Sequence, residues 1–465
     1  MGDLVGVLGE PPPHRLVRGP LLQLAHGLQL LGELLGLHEH QSGGSDTLIL
    51  MSPALSVTSR TASAAPARLA WLDALRGLGA LAVVGEHLCT WAMPWLRPTA
   101  FNLGVYGVLV FFLVSGYIIP ASLERHGDVR AFWIGRFFRL YPLYLAMIAL
   151  VLVLAWWIPV RAEVPRDLSS VAAHATMLMD AVGTAGVLNT MWTLSYEMVF
   201  YLLAAALFTA GVRDRWGLLP GLFAVLGLAA GLAMIAPPLS GGWLSWVTFG
   251  LYAVGLACVV SGRGRTVAAC ALGVMALALV LLSSRVPWFG AAILAVMFAG
   301  TAVHRWERGA GPLWPVAATG LLVAALPLWA RNAGWWWVQP KVWGLTILLA
   351  VLTFAAAMAC RSRTLPAALT WLGTISYSLY LVHLPLLLIL MRVVGELRAA
   401  PAAAQLGAGA LFLALLLPLS WLSHRCIELP MQLVGRRLVK GRDRPSAGRA
   451  GVPPGPAGGG RRPRG

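Results

Sequence analysis

The stretch AWLDALRGLGALAVVGEHLCTWAMPW, residues 70–95, decides the fold class of this chain. It is apolar enough to cross a bilayer, yet it carries Asp73, Arg76, Glu86 and His87. Titratable side chains are costly at membrane depth unless they face a polar cavity or a partner, so they indicate a functional site. Eleven residues at about 100° each return to within roughly 20° of the starting direction. Arg76 and His87 are therefore predicted on one side of one helix, about 16 Å apart, and Asp73 is predicted to pair with Arg76 at i,i+3.

The composition excludes a water-soluble globular protein. Of 465 residues, 58% are hydrophobic and 11% charged, and the mean hydropathy is +0.75. Many of the 20 tryptophans stand at the ends of apolar runs, where amphipathic rings prefer the lipid headgroup layer. These features predict a multi-pass protein of the cell membrane, with the lipid bilayer as its first partner.

Apolar runs recur from residue 70 to the end of the hydrophobic part of the chain. Several middle runs are short and glycine-rich, so ten or eleven spans are compatible with the pattern as well as twelve. The predicted fold is all-α, a bundle of about 10–12 transmembrane helices. The twelve candidate spans are 71–95, 103–122, 138–159, 192–212, 216–236, 243–262, 265–284, 287–304, 313–331, 341–360, 371–392 and 404–424.

The distribution of basic residues predicts that both termini are cytoplasmic. With a cytoplasmic N-terminus, five inner loops carry 12 arginines, whereas six outer loops carry 8 basic residues. The tail also falls inside, where nine basic residues and one acid between Arg436 and Arg464 give it a net charge of +8. Such a tail favours contact with anionic lipid over nucleic acid, although the whole chain has a net charge of +17.

Three regions are predicted along the chain. Residues 1–69 form an N-terminal extension that is either disordered or partly the product of a start placed before Met51. Residues 70–430 form the transmembrane domain. Residues 431–465 form a basic, Pro/Gly-rich cytoplasmic tail.

A pair of arginines follows the second span, in DVRAFWIGRFFRLYPLYL. Arg136 and Arg139 are three residues apart, so they share a helix face at the expected cytoplasmic edge of the third span. Two guanidinium groups on one face can bind phosphate groups by bidentate hydrogen bonds. Ordinary anchoring of the span by positive charge explains the same pattern.

Four further segments carry polar groups beside or within apolar runs. In MWTLSYEMVFYLL, Glu197 follows Ser195 and requires a cationic partner, for which His87 and the arginines are candidates. The connection 160–190 carries His174 and Asp180, and it fits either an outward-facing lid or acceptor site, or a plain loop.

The two remaining segments lie in the last third of the chain. In WLGTISYSLYLVHLPLLLIL, Tyr380 and His383 are i,i+3 neighbours on a helix predicted to line a cavity. Near the end, in HRCIELPMQ, Arg425 and Glu428 are predicted to form a local ion pair.

Motifs for other kinds of chemistry are missing from these spans. The sequence shows no glycine-rich phosphate loop, HExxH, GxSxG or acidic cluster, and its five cysteines have no metal-ligand spacing. No metal site and no permanently bound cofactor are therefore predicted. A buried base, a pair of arginines and a polar cavity remain, and acyl transfer from a phosphorylated thioester donor to a hydroxyl requires these groups.

The sequence resembles the acyltransferase-three family of integral-membrane O-acyltransferases, which modify bacterial polysaccharides and some macrolide sugars. Five segments carry the resemblance, in order, over roughly residues 70–430. They are LDALRGLGALAVVGEHL, with ten residues between Arg76 and His87, FFLVSGYII, GRFFRLYP, WTLSYEMVFYLL and ISYSLYLVHLPLL. Residues 216–331 match the family only in general hydrophobicity.

The resemblance implies roles for individual residues. His87 would be the catalytic base or acyl relay and Arg76 would shape the site. Glu197 and His383 stand in motifs typical of the family, and we extend the resemblance by predicting that they orient groups in the cavity, with Glu197 as a third catalytic residue. Arg136 and Arg139 would bind the phosphates of coenzyme A. The substrate cavity would be lined by Ser195, Tyr380 and His383.

The leading functional prediction is transfer of an acyl group, most simply acetyl, from acyl-CoA as co-substrate to a hydroxyl of a cell-surface glycan or glycosylated small molecule. The alternative is a secondary transporter or exporter in which the buried His and Glu relay protons. Twelve spans with both ends inside suit a transporter, but no pair of matching halves is visible. A non-catalytic membrane sensor is a third possibility.

Overall fold

A computed structural model describes residues 69–158, 163–332 and 334–440. The predicted N-terminal extension, apart from its last residue, and the part of the predicted tail beyond residue 440 lie outside these ranges. The described residues form helices and no β-strand. The α-helices are α1 (Ala70–Trp91), α2 (Leu103–His126), α3 (Val129–Leu154), α4 (Leu168–Ala175), α5 (Trp192–Thr209), α6 (Leu219–Ala233), α7 (Gly242–Ser261), α8 (Arg265–Leu282), α9 (Pro287–Glu307), α10 (Trp314–Ala325), α11 (Pro340–Ala359), α12 (Ala367–Thr374), α13 (Ser376–Val394), α14 (Ala402–Ser423) and α15 (Leu429–Lys440).

All twelve predicted spans fall on helices. Ten helices in the described part of the chain are long and apolar enough to cross a membrane, which confirms the all-α polytopic fold. The other two predicted spans correspond to α1, whose charged residues lower its hydropathy, and to α10, which has only 12 residues. The predicted span 371–392 is divided at Ile375 into a short α12 and a long α13.

Helix α2 lies at the centre of the bundle, against α1, α5, α9 and α11. A Cβ on Gly116 of α2 would lie 1.7 Å from the carbonyl oxygen of Met297, and one on Gly300 of α9 would lie 2.2 Å from that of Leu113. Small residues allow helix backbones to approach closely inside a membrane, where apolar burial does not drive association. These two glycines therefore set the distance between α2 and α9.

The directions of the helices around α1 follow from its contacts. A Cβ on Gly373 would lie 1.8 Å from the carbonyl oxygen of Asp73, while His383 contacts His87, so α12 and α13 run parallel to α1. Helix α2 runs antiparallel, because Gly107 lies against Gly79. We call the end of the bundle at which α1 begins the near end, and the opposite end the far end.

The last long helix contains an irregular turn. Residues 402–440 are helical throughout, but His424–Glu428 form a π-turn between α14 and α15. Glu428 is buried, accepts a hydrogen bond from Ser378 of α13, and lies 3.3 Å from His424 Nδ1. The predicted Arg425–Glu428 ion pair is wrong, since the π-turn directs Glu428 inward and Arg425 lies over the ring of Trp421.

Candidate active site

A polar cavity of about 120 Å³ lies between α1, α2, α3, α5 and α13. Both polar and apolar side chains line it. The polar ones are Arg76, Ser115, Arg136, Arg139, Thr193, Glu197, Ser376, Tyr377 and Tyr380, and the apolar ones are Val108, Phe111, Phe112, Val114, Ile118, Ile119, Leu140 and Leu194. The apolar side chains come mainly from α2, opposite the charged groups.

Three arginines from two helices reach this cavity. Arg136 and Arg139 both line it, so they share a face of α3 as the spacing predicts. Arg76 of α1 joins them, and its Nη1 lies 3.8 Å from Asp73 Oδ1, which confirms the predicted i,i+3 pair. The Arg76 charge also interacts with those of Arg139, Glu197 and Glu428. A concentration of guanidinium groups in a cavity favours an anionic ligand, and phosphate in particular.

Glu197 lies among these arginines on α5. It accepts a hydrogen bond from the Tyr201 hydroxyl one turn later on the same helix. The Arg136 guanidinium lies 5.1 Å from the centre of the Tyr201 ring. The cationic groups that balance the Glu197 carboxylate are therefore arginines, and the sequence had left the choice between these and His87 open.

The two predicted histidines contact each other at the far end. His87 Nδ1 lies 2.9 Å from the Val83 carbonyl oxygen and 3.4 Å from His383 Nε2. His383 Nδ1 lies 3.2 Å from the Leu379 carbonyl oxygen. A carbonyl accepts only from N–H, so each Nδ1 carries a proton in the neutral rings, and His383 Nε2 can accept from His87. His87 Nε2 makes no hydrogen bond within the described residues, and its lone pair is free to take a proton.

Tyr380 connects the cavity to the histidine pair. Its hydroxyl bonds to Thr193 Oγ1 at 2.8 Å and donates to the Thr190 carbonyl oxygen at 3.0 Å. Its ring centre lies 5.9 Å from that of His383. The polar face predicted for α13 therefore extends from the cavity to His87.

The structure thus divides the predicted site residues into three places. Arg76, Arg136, Arg139, Glu197 and Tyr380 share the cavity, whereas His87 and His383 lie beyond it at the far end. Ser195 lies in a third place, outside both the cavity lining and the histidine pair. It is fully buried, donates to Met179 Sδ at 2.8 Å and accepts from the Asp180 N–H at 3.1 Å, so it fixes the preceding loop.

The sequence analysis missed a second polar cluster beside His87. Arg97 donates to Glu86 Oε1 from Nε at 2.8 Å and from Nη2 at 2.6 Å, and Asn102 lies 3.4 Å from the same oxygen. The other side of the Arg97 guanidinium lies 4.7 Å from the centre of the Trp336 ring. Glu86 is recognisable in the sequence as a charge within the first span. No sequence pattern, however, indicates that Arg97, eleven residues later in the following loop, is its partner.

The long connection before α5 is a packed segment. Within it, Met177, Leu178 and Met179 are fully buried. His174 Nδ1–H donates to the Ser170 carbonyl oxygen at 2.7 Å, and the Val187 N–H donates to His174 Nε2 at 3.1 Å. Burial lowers the pKa of His174. With both ring nitrogens occupied, His174 holds the segment against α4.

Comparison with known proteins gives the class of this site. Residues 69–425 match the acyltransferase domain family (Acyl_transf_3). The chain belongs to this family, and it is a multi-pass membrane acyltransferase. This result confirms the predicted resemblance and enzyme class, and it favours an enzyme over the transporter alternative.

Individual relatives agree with this assignment. The chain is 28% identical to the acyltransferase MdmB of Streptomyces mycarofaciens over 400 residues, which cover 80% of this chain and 93% of MdmB. It is 28% identical over 151 residues to the peptidoglycan O-acetyltransferase OatA of Listeria monocytogenes, covering 28% of this chain and 23% of OatA. It is 29% identical over 153 residues to the putative peptidoglycan O-acetyltransferase YrhL of Bacillus subtilis, covering 28% of this chain and 22% of YrhL. No solved structure matches the chain.

Proposed function

We propose that this acyltransferase moves an acyl group, most simply acetyl, from acyl-CoA to a hydroxyl of a glycan or of a glycosylated small molecule. One observation carries the proposal. Three arginines and a carboxylate share a cavity, and Tyr380 and His383 link this cavity to His87, whose Nε2 is free to accept a proton.

The donor would bind with its phosphates on the arginines. Arg136 and Arg139 are half-buried at the near end, where α3 begins, and present two guanidinium groups on one face. Arg76 adds a third, while Glu197 and Asp73 keep the cluster from being an uncompensated charge in the membrane. The thioester would then extend along the cavity toward Tyr380.

The proton would move at His87. As the acceptor hydroxyl attacks the thioester carbonyl carbon, His87 Nε2 takes the hydroxyl proton. The ring becomes positive while its Nδ1–H remains bonded to the Val83 carbonyl oxygen and His383 Nε2, so both acceptors stabilise the charged form. When the C–S bond breaks, the CoA thiolate leaves and recovers the proton from His87. If His87 carries the acyl group transiently, the same nitrogen forms the bond.

A hydroxyl of a carbohydrate is the acceptor that the relatives support. Two of them are named as peptidoglycan O-acetyltransferases, although each alignment covers under a quarter of that relative's length. MdmB, which this chain matches over nearly its whole length, is named as an acyltransferase without an acceptor. We therefore propose the acceptor as a class, a glycan or glycosylated small molecule.

The test measures transfer of label from acetyl-CoA in membranes that contain wild type or His87→Ala, with cell glycans and small-molecule extracts as acceptors. Labelled acceptor is expected with wild type alone. His126→Ala is the matched control, because His126 is exposed at the end of α2 and, among the described residues, hydrogen-bonds only to the Ser122 carbonyl oxygen. Full transfer by His87→Ala would refute the role of His87. Intact acetyl-CoA and intact longer acyl-CoA with wild type would refute acyl-CoA as the donor.

A further inference from the structure

The polar cavity ends before it reaches the histidine pair. At the end nearer to His383, the ring of Phe111 packs edge-to-face against the ring of Tyr380, with the ring centres 6.1 Å apart. Tyr380 is in turn 5.9 Å from His383, measured between ring centres. The acyl group of a donor whose phosphates lie on the arginines would therefore meet these two aromatic rings on the side of the cavity toward His87.

Both rings are held between helices. Phe111 extends from α2 to α1, where Gly79 leaves room for it, since a Cβ on Gly79 would lie 3.2 Å from Phe111 Cδ2. Tyr380 is fixed to α5 by its hydrogen bonds to Thr193 and to the Thr190 carbonyl oxygen. We call the passage that an acyl chain would take between these two rings the opening; residues of four helices surround it.

We propose that Phe111, packed against Tyr380, is the residue that limits the length of the acyl group. The inference rests on the proposed function, because it requires an acyl donor on the arginines and the acyl acceptor or relay at His87. An acetyl group adds one methyl beyond the carbonyl, whereas butyryl adds two further methylenes that must displace an aromatic ring. A packed cavity resists such an intrusion.

Phe111 is the better candidate of the two rings for setting this limit. Tyr380 has two hydrogen bonds that fix its hydroxyl, so its substitution would disturb α5 as well as the opening. Phe111 is half-buried and its ring is held by packing alone. Truncation of Phe111 therefore widens the opening and breaks no hydrogen bond.

The experiment compares acetyl-CoA with butyryl-CoA as donors for wild type, Phe111→Ala, Phe111→Leu and Ile118→Ala. The readout is the ratio of kcat/KM for butyryl-CoA to that for acetyl-CoA, measured by release of free CoA and by labelled acceptor. One extra or missing methylene in an apolar pocket changes such a ratio by about 10- to 200-fold. We expect Phe111→Ala to raise the ratio at least tenfold, and Phe111→Leu to raise it less.

Ile118→Ala is the matched control. Seven residues after Phe111, Ile118 lies on the same face of α2 and lines the same cavity, but about 10 Å nearer to the near end. Its truncation enlarges the cavity without widening the opening, so the ratio should stay within about twofold of wild type.

The outcomes separate the two proposals. If Phe111→Ala still transfers acetyl with an unchanged ratio, the length limit is not at Phe111 and the proposed function stands. If Ile118→Ala raises the ratio equally, cavity volume sets the limit and the assignment to Phe111 is overturned. If Phe111→Ala is not recovered as folded protein, the ratio for Phe111→Leu decides. If wild type consumes neither donor, the proposed function fails and this inference fails with it.

Discussion

Arg97 lies in the loop 92–102, which connects α1 and α2 at the far end. Arg97→Ala should destabilise the protein more than any other single substitution in this loop. Glu86 sits at 8% side-chain exposure and Arg97 at 24%, and the two Arg97 bonds end on the same oxygen, Oε1. Glu86 Oε2 is buried without a hydrogen bond in the described structure. Breaking a buried ion pair by removing one partner costs about 3–5 kcal/mol, because the other charge stays buried. Since a quarter of Arg97 is exposed, we expect the lower end, about 3 kcal/mol.

Glu86→Gln should cost less. The remaining Arg97 can turn toward water and keep its contact with Trp336, so only a hydrogen bond to a charged group is lost, or about 1.5–3 kcal/mol at most. The double variant Arg97→Ala, Glu86→Gln leaves no buried charge. It should therefore be more stable than Arg97→Ala alone, which requires a coupling larger than the cost of Glu86→Gln, toward the upper end of the usual range of about 0.5–3 kcal/mol.

The assay is thermal unfolding in detergent, followed by tryptophan fluorescence at one fixed heating rate, so that the order of the four proteins is compared under identical conditions. The expected order is wild type, then Glu86→Gln, then the double variant and last Arg97→Ala. A double variant less stable than Arg97→Ala by the full cost of Glu86→Gln, so that the two single effects simply add, would refute the reasoning. That result would mean that the Glu86 charge is stable without its partner.

Two further predictions concern packing and pH. Gly116→Ala should lower the free energy of unfolding by more than about 3 kcal/mol, because the new Cβ would lie 1.7 Å from a backbone oxygen of α9. Gly250→Ala, whose new Cβ would have no atom within 4 Å, should be neutral or slightly stabilising in the same unfolding assay. Burial lowers the pKa of His174 below its ordinary 6.5, so its neutral form contributes stability that is complete above about pH 6.5 and is lost as the pH falls. His174→Gln keeps an acceptor for the Val187 N–H and should reduce this loss of stability. The measurement is the unfolding midpoint of both proteins from pH 8 to pH 5. Midpoints that fall equally for both would contradict the assignment of the pH dependence to His174.

The fold could be predicted because the bilayer restricts what apolar runs can become. Every span of about 20 apolar residues must satisfy its own backbone hydrogen bonds, and this requirement makes it a helix. Local spacing also predicted two details correctly, the Asp73–Arg76 pair and the common face of Arg136 and Arg139. Both depend on residues one turn apart in a regular helix, where the geometry is fixed by the helix itself.

The errors came from places where the helix is irregular or the partner is distant. The predicted Arg425–Glu428 ion pair does not form because a π-turn changes the direction of the Glu428 side chain. No local sequence pattern predicts that turn. Ser195 carries a polar group, but its face of α5 turns toward the preceding loop and away from the cavity. The contact between His87 and His383 joins residues 296 positions apart, and only the packing of α13 on α1 places them together.

Helix α1 connects the two halves of the proposed reaction. Arg76 and His87 lie on one continuous helix, so the axial separation of about 16 Å between the arginine cavity and the base is fixed by eleven residues and not by the packing of two domains. Glycines on this helix also fix the positions of the neighbouring helices. A Cβ on Gly77 would lie 2.5 Å from the Leu369 carbonyl oxygen, and Gly79 lies against Gly107, so α12 and α2 both approach the α1 backbone directly. Because α12 continues into α13, this close contact also fixes Tyr380 and His383 relative to α1. The spacing between the proposed donor site and the proposed base is thus set by one helix, and the side chains between them are placed by glycine contacts to that same helix.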